Sequence, residues 1–193
     1  DQDGKLLTSW GGPGQGYDWP TTEHGIFVDA KDNVWLGGNG PKDDQVLKFT
    51  AQGKFLGQFG HSGKSGGSAD TQNLGGPANL TVDSVNSELY VADGYRNRRV
   101  AVIDTETLTL KRMWGGYGNK PDDTKLGPYN PDAPLAQQFR LPHNVAVSKD
   151  GMVYVADRVN DRIQVFKRDG TYVKEGFVAP RTLLAGSTSG LAF

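Results

Sequence analysis

The stretch Leu141–Phe166, "LPHNVAVSKDGMVYVADRVNDRIQVF", decides how the whole chain is read. Asn144–Val147 has the pattern of a strand, Ser148–Gly151 of a turn carrying Asp-Gly, and Met152–Ala156 of a second strand. A polar loop, Asp157–Asp161, precedes an alternating third strand, Arg162–Lys167. Arg168–Gly170 turns on another Asp-Gly, and Tyr172–Lys174 begins a fourth strand. Asp-Gly between β-patterned runs is a strong hairpin signal, because a two-residue turn needs φ > 0.

The same pattern occurs twice earlier. The middle copy is predicted over Leu80–Val82, Glu88–Ala92, Arg99–Ile103 and Thr109–Trp114. The first copy runs over Ile26–Val28, Asn33–Leu36, Gln45–Phe49 and Lys54–Phe59. A lone four-stranded meander cannot cover both of its faces, so such repeats must stack on one another as propeller blades. The expectation is an all-β chain forming one propeller domain over residues 1–193, with blades at about 24–60, 78–115 and 143–177. Part-blades are expected at 1–11, where Lys5–Trp10 would be a last strand, and at 188–193, where Gly190–Phe193 would be a first strand. Together they suggest an arc of a six-bladed ring, completed by the remainder of a propeller or by an assembly.

Bulk properties narrow the function. The 193 residues carry a formal net charge of −1, which argues against a general nucleic-acid or membrane-surface binder. With no cysteine there is no thiolate nucleophile, disulfide framework or Cys-ligated metal. No apolar run approaches the length that crosses a bilayer. The expected compartment is extracellular or periplasmic. A basic cluster, Arg96, Arg98, Arg99, Lys111 and Arg112, offers RNA binding as a minor alternative.

Candidate chemistry sits on one face. In a propeller the first strand of each blade is innermost and enters from the face that carries the blade-to-blade crossovers. The long connections Gly11–Glu23, Gly60–Pro77 and Gly115–Pro142 lie there, with the second-to-third-strand loops "DGYRNRR" and "DRVNDR". Two of the three histidines, His24 and His143, open first strands in alternate blades, and Ala78 holds the equivalent place between them. In a six-bladed ring they would stand about 120° apart, leaving a place for a third two blades beyond His143. Three imidazoles at one channel mouth would make a zinc site with an open fourth position. The alternative is that each histidine caps the channel entrance by hydrogen bonds. His61, in a Gly/Ser-rich loop, is expected to be solvated.

These residues resemble a known family. The repeats are similar to NHL repeats, and more narrowly to the peptidyl-α-hydroxyglycine α-amidating lyases. The resemblance runs in order through "EHGIFVD", "GGPANLTVD…LYVADGYRNRRV" and "FRLPHNVAV…VYVADRVNDRIQVF". It implies that His24 and His143 are zinc ligands, that Tyr95 as a phenolate is the catalytic base, and that Arg158 binds and orients substrate. It implies cleavage of a carbinolamide C–N bond to an amide and a glyoxylate-type aldehyde, and a structural calcium held by backbone carbonyls. Arg96 stands where animal members of that family carry a cysteine. The competing reading is a non-catalytic NHL propeller whose loop face binds a protein, peptide or carbohydrate.

Overall fold

The structure is a computed structural model and describes residues 2–193. Among the described residues twelve strands form three antiparallel sheets, each paired in sequence order. The first blade holds β1 (Glu23–Val28), β2 (Asn33–Gly38), β3 (Val46–Thr50) and β4 (Phe55–Phe59). The second holds β5 (Pro77–Asp83), β6 (Glu88–Asp93), β7 (Arg99–Asp104) and β8 (Leu110–Trp114). The third holds β9 (Pro142–Val147), β10 (Val153–Asp157), β11 (Arg162–Phe166) and β12 (Tyr172–Phe177). The first strands β1, β5 and β9 lie side by side, as the inner strands of neighbouring blades should.

The period-two alternation of the middle blade explains the stacking. In β6, Leu89 and Val91 face the first blade, where they pack with Trp35, Val46, Phe59, Leu74 and Leu80. Tyr90 and Ala92 face the other way and join Trp114, Phe139, Val145, Val155 and Phe166 of the third blade's interface. Every residue of β6 is consequently buried. Truncating one of these residues, Leu89→Ala for example, would cost roughly 2–5 kcal/mol through lost burial and the cavity left behind. On β1, by contrast, Ile26 and Val28 remain 64% and 56% exposed.

The aromatic that ends a fourth strand closes onto the hairpin of the next blade. A Cβ on Gly170, at φ +90°, would lie 3.0 Å from the Trp114 ring, so this turn needs glycine for both its backbone and its space. Trp10 lies in the same way over the first blade, with its indole N–H donating to the Ala51 carbonyl at 2.9 Å and its ring 5.3 Å from that of Phe49.

Two expected part-blades differ from the structure. Neither Lys5–Trp10 nor Gly190–Phe193 forms a strand. A strand exists only through a partner's ladder, and neither segment belongs to any of the three sheets of the described residues. Both are held instead by side-chain contacts, Trp10 as above and Phe193 edge-on to Tyr154 at 4.9 Å.

Candidate functional site

Two acidic residues fasten the crossovers that surround the site. Asp93, at the end of β6, accepts the Gly75 N–H at 2.7 Å, the Asn97 amide at 2.8 Å and the Arg99 Nε–H at 2.8 Å. Arg99 is fully buried and donates onward to the Ser68 and Asn73 carbonyls of the preceding crossover. The third blade repeats the device. Asp157 accepts the Arg140 N–H at 2.9 Å, the Asn160 amide at 2.6 Å and the Arg162 Nε–H at 3.0 Å, and Arg162 reaches the Gln138 carbonyl. Charged groups buried at this depth hold only because every hydrogen bond is matched. The repeated Asp, Asn and Arg in "ADGYRNRR" and "ADRVNDR" were the available sequence signal for this structural role.

On that frame the two second-to-third-strand loops differ in length. Residues 94–98 separate the paired Asp93 and Arg99, whereas only residues 158–161 separate Asp157 and Arg162. The longer loop carries Tyr95. A Cβ on Gly94 would lie 2.1 Å from the Pro142 carbonyl oxygen, so the loop approaches β9 as closely as backbone allows. Tyr95 and Arg96 are also tied through their N–H groups to the Gly76 and Gly75 carbonyls, at 3.1 and 2.8 Å.

This brings together three of the predicted residues. The Tyr95 hydroxyl is 2.9 Å from His24 Nε2 and 3.2 Å from His143 Nε2. Each imidazole is anchored from behind by the next segment of the ring. His24 Nδ1 lies 2.6 Å from the Ala78 carbonyl of β5, and His143 Nδ1 lies 2.7 Å from the Ser189 carbonyl. A carbonyl oxygen can only accept, so in the neutral form of each ring Nδ1 carries the proton and Nε2 the lone pair. One hydroxyl proton cannot serve both Nε2 atoms. The cluster therefore presents more lone pairs than protons, which is the donor set of a cation site. Among the described residues no third His, Cys, Asp or Glu joins the pair.

Burial pushes the His143 imidazole below its ordinary range; the Ser189 carbonyl opposes this, while the Arg158 charge reinforces it. The lowered value keeps the ring neutral and its Nε2 lone pair available near pH 7. Arg158 thus acts electrostatically on His143. Among the described residues Arg158 makes no ion pair, Asp157 being paired with Arg162, and its buried Nε has no hydrogen-bond partner.

His61 lies away from this cluster. It is exposed as expected, yet its Nδ1 contacts Asp18 at 3.1 Å and Gln58 at 2.9 Å. Of the basic cluster only Arg99 is buried, but most of its members are engaged in ion pairs, with Arg96 paired to Asp44, Arg99 to Asp93, and Arg112 with Lys111 to Glu88. Four contributions escaped the sequence reading: the Ala78 and Ser189 carbonyls, the space for Gly94, and the reach of Arg96. No helix among the described residues is long and apolar enough to cross a membrane.

Comparisons with known proteins agree with this architecture. Residues 139–166 match the NHL repeat family model. The chain is 30% identical over 175 residues to NHL repeat-containing protein 3 of Mus musculus, covering 87% of this chain and 44% of that protein. It is 28% identical over 165 residues to peptidyl-alpha-hydroxyglycine alpha-amidating lyase 1 of Drosophila melanogaster, covering 81% of this chain and 28% of that protein. The chain thus spans less than half the length of either relative. Among solved structures, virginiamycin B lyase from Staphylococcus aureus superposes with a TM-score of 0.52 at 15% identity, over 82% of this chain and 42% of that one; this likeness shows the fold alone. Repeat, blades and relatives agree: the chain carries an NHL repeat over residues 139–166 and folds as blades of a β-propeller.

Proposed function

We propose that the cluster is part of a zinc-dependent lyase site that cleaves the C–N bond of a carbinolamide of the peptidyl-α-hydroxyglycine type. The observation that carries this reading is the convergence of His24 Nε2, His143 Nε2 and Tyr95 Oη from three successive blades. The similarity to the Drosophila amidating lyase supports it.

His24 and His143 would hold the metal, with their Nε2 lone pairs directed by the Nδ1–H bonds behind them. Zinc, when bound, supplies Lewis acidity toward negative charge on the substrate. Tyr95 Oη, as a phenolate, would take the proton of the substrate's α-hydroxyl group, its loop being held by the backbone bonds to Gly75 and Gly76. As that proton leaves, the C–O bond becomes a carbonyl and the C–N bond breaks. The nitrogen keeps the bonding pair and takes the proton that Tyr95 received, giving an amide and a glyoxylate-type aldehyde. Arg158, with its unpaired buried Nε, would hold the polar end of the substrate.

The test is direct. The full chain, loaded with zinc, is incubated with an N-acyl-α-hydroxyglycine, and glyoxylate and amide are measured together. Equal release of both above the solution background, lost in Tyr95→Phe, is expected. Background release with zinc bound would leave the scaffold reading, which the similarity to NHL repeat-containing protein 3 favours.

A further inference from the structure

We propose that Arg96 is the positioning residue that sets the contact between Tyr95 and His24, by locking the loop of the second blade to that of the first. The inference rests on the lyase reading for its catalytic consequence, but the geometry that motivates it does not.

The Tyr95–His24 contact crosses the boundary between two blades, since His24 lies on β1 and Tyr95 in the loop after β6. Nothing in either blade's own ladder fixes a distance across that boundary. Arg96 spans it. Its guanidinium donates to the Gly40 carbonyl, to the Asp43 carbonyl at 2.9 Å and to the Asp44 carboxylate, all in the corresponding loop of the first blade. The Asp44 side chain is only 4% exposed, and its other oxygen accepts the Ser65 N–H at 3.0 Å.

The crossover strand is trapped inside this lock. Gly76 donates to the Asp43 carbonyl at 3.0 Å, Leu74 donates to the Asp44 carbonyl at 2.8 Å, and Gly75 and Gly76 accept from Arg96 and Tyr95. A Cβ on Gly76 would meet the Tyr95 Cβ at 2.8 Å and the Arg96 guanidinium at 3.2 Å. Three layers are therefore tied together, first-blade loop to crossover to second-blade loop by backbone bonds, and the two outer loops directly by the Arg96 side chain. A planar guanidinium can satisfy three acceptors at fixed angles, whereas an ammonium cannot hold them in one plane. Arg96 touches neither imidazole, so its effect on the site runs through the backbone of Tyr95.

The experiment compares Arg96→Ala, Arg96→Lys and Asp44→Asn with Tyr95→Phe in the full chain. One readout is the imidazole 15N spectrum, in which Tyr95→Phe defines the His24 Nε2 resonance without its hydroxyl partner. The other is kcat and KM for glyoxylate release. In Arg96→Ala the His24 resonance is expected to move toward its Tyr95→Phe position, with kcat falling about 10- to 100-fold and KM changing far less. Arg96→Lys should recover part of both effects. A folded Arg96→Ala protein with the wild-type His24 resonance overturns the proposal. Should Arg96→Ala not fold, Arg96→Lys and Asp44→Asn are read by the same resonance. If the wild type releases no glyoxylate, the lyase reading fails alone, and the resonance still decides whether Arg96 holds Tyr95 in place.

Discussion

The imidazole rings of His24 and His143 meet edge to face with centroids 5.3 Å apart, although one belongs to the first blade and the other to the third. On the zinc reading the two form one donor pair. Replacing either by alanine should weaken zinc binding at least about 100-fold, given that even outer-shell changes cost 10- to 100-fold. Calorimetric titration with zinc, with metal content by mass spectrometry, measures this. Titration indistinguishable from wild type in His143→Ala would remove the pair from any metal site.

Tyr95→Phe deletes one hydroxyl and little else, since the ring and the backbone anchors of the loop stay in place. The expected outcome is a loss of about 10²- to 10⁴-fold in kcat, the usual worth of a positioned acid or base. Zinc affinity and thermal midpoint should stay near wild type. Steady-state kinetics alongside a melting curve separates this from a folding defect.

Gly94→Ala should damage the site from a distance. The added methyl would sit 2.1 Å from the Pro142 carbonyl oxygen, next to His143, and backbone must move to admit it. We expect a loss of roughly 1–3 kcal/mol in stability by urea denaturation, the cost typical of overpacking. The contact between Tyr95 and His143 should lengthen, visible as a shift of the His143 imidazole resonances.

Arg162→Met tests the frame beneath the loops. It leaves the buried Asp157 carboxylate without its ionic partner. Breaking such a pair on one side costs roughly 3–5 kcal/mol, and Asp157→Asn in the same chain should recover part of it. Urea midpoints of the two single variants and the double variant provide the measurement.

Acid stability should depend on Glu88. Burial alone would raise its carboxyl, but hydrogen bonds from Arg112, Lys111 and Tyr90 overcome that and bring it down to about 2. A group lowered on folding contributes stability that is fully present above its unfolded value, near 4.5, and is lost as pH falls through its folded value. The window is therefore pH 4.5 to 2, with up to roughly 3 kcal/mol at stake. Denaturation curves at several pH values should show a shallower acid loss in Glu88→Gln than in wild type.

The hairpins were legible in the sequence because their causes are local. Asp150-Gly151 and Asp169-Gly170 place glycine at φ +84° and +90°, which the turns require. The pairing of His24 with His143 was legible from their shared place in alternate repeats. Tyr95 and Arg158 came from resemblance, since a loop tyrosine or arginine has no periodicity to betray it. What escaped was set between blades: the Ser189 carbonyl behind His143, the narrow gap at Gly94, the reach of Arg96 to Asp44. Lys5–Trp10 shows the converse, a strand-like pattern with no ladder to join.

Because the two histidines stand two blades apart, the angle at which they converge is twice the rotation from one blade to the next. That angle is about 120° in a ring of six, about 103° in seven and about 90° in eight. Adding or deleting a blade would leave each meander intact and still re-aim the imidazoles past each other. Selection for what happens at the rim would then act on the rotational symmetry of the whole wheel. Lineages that keep the paired histidines should keep their number of blades, while those that have lost them are free to vary it.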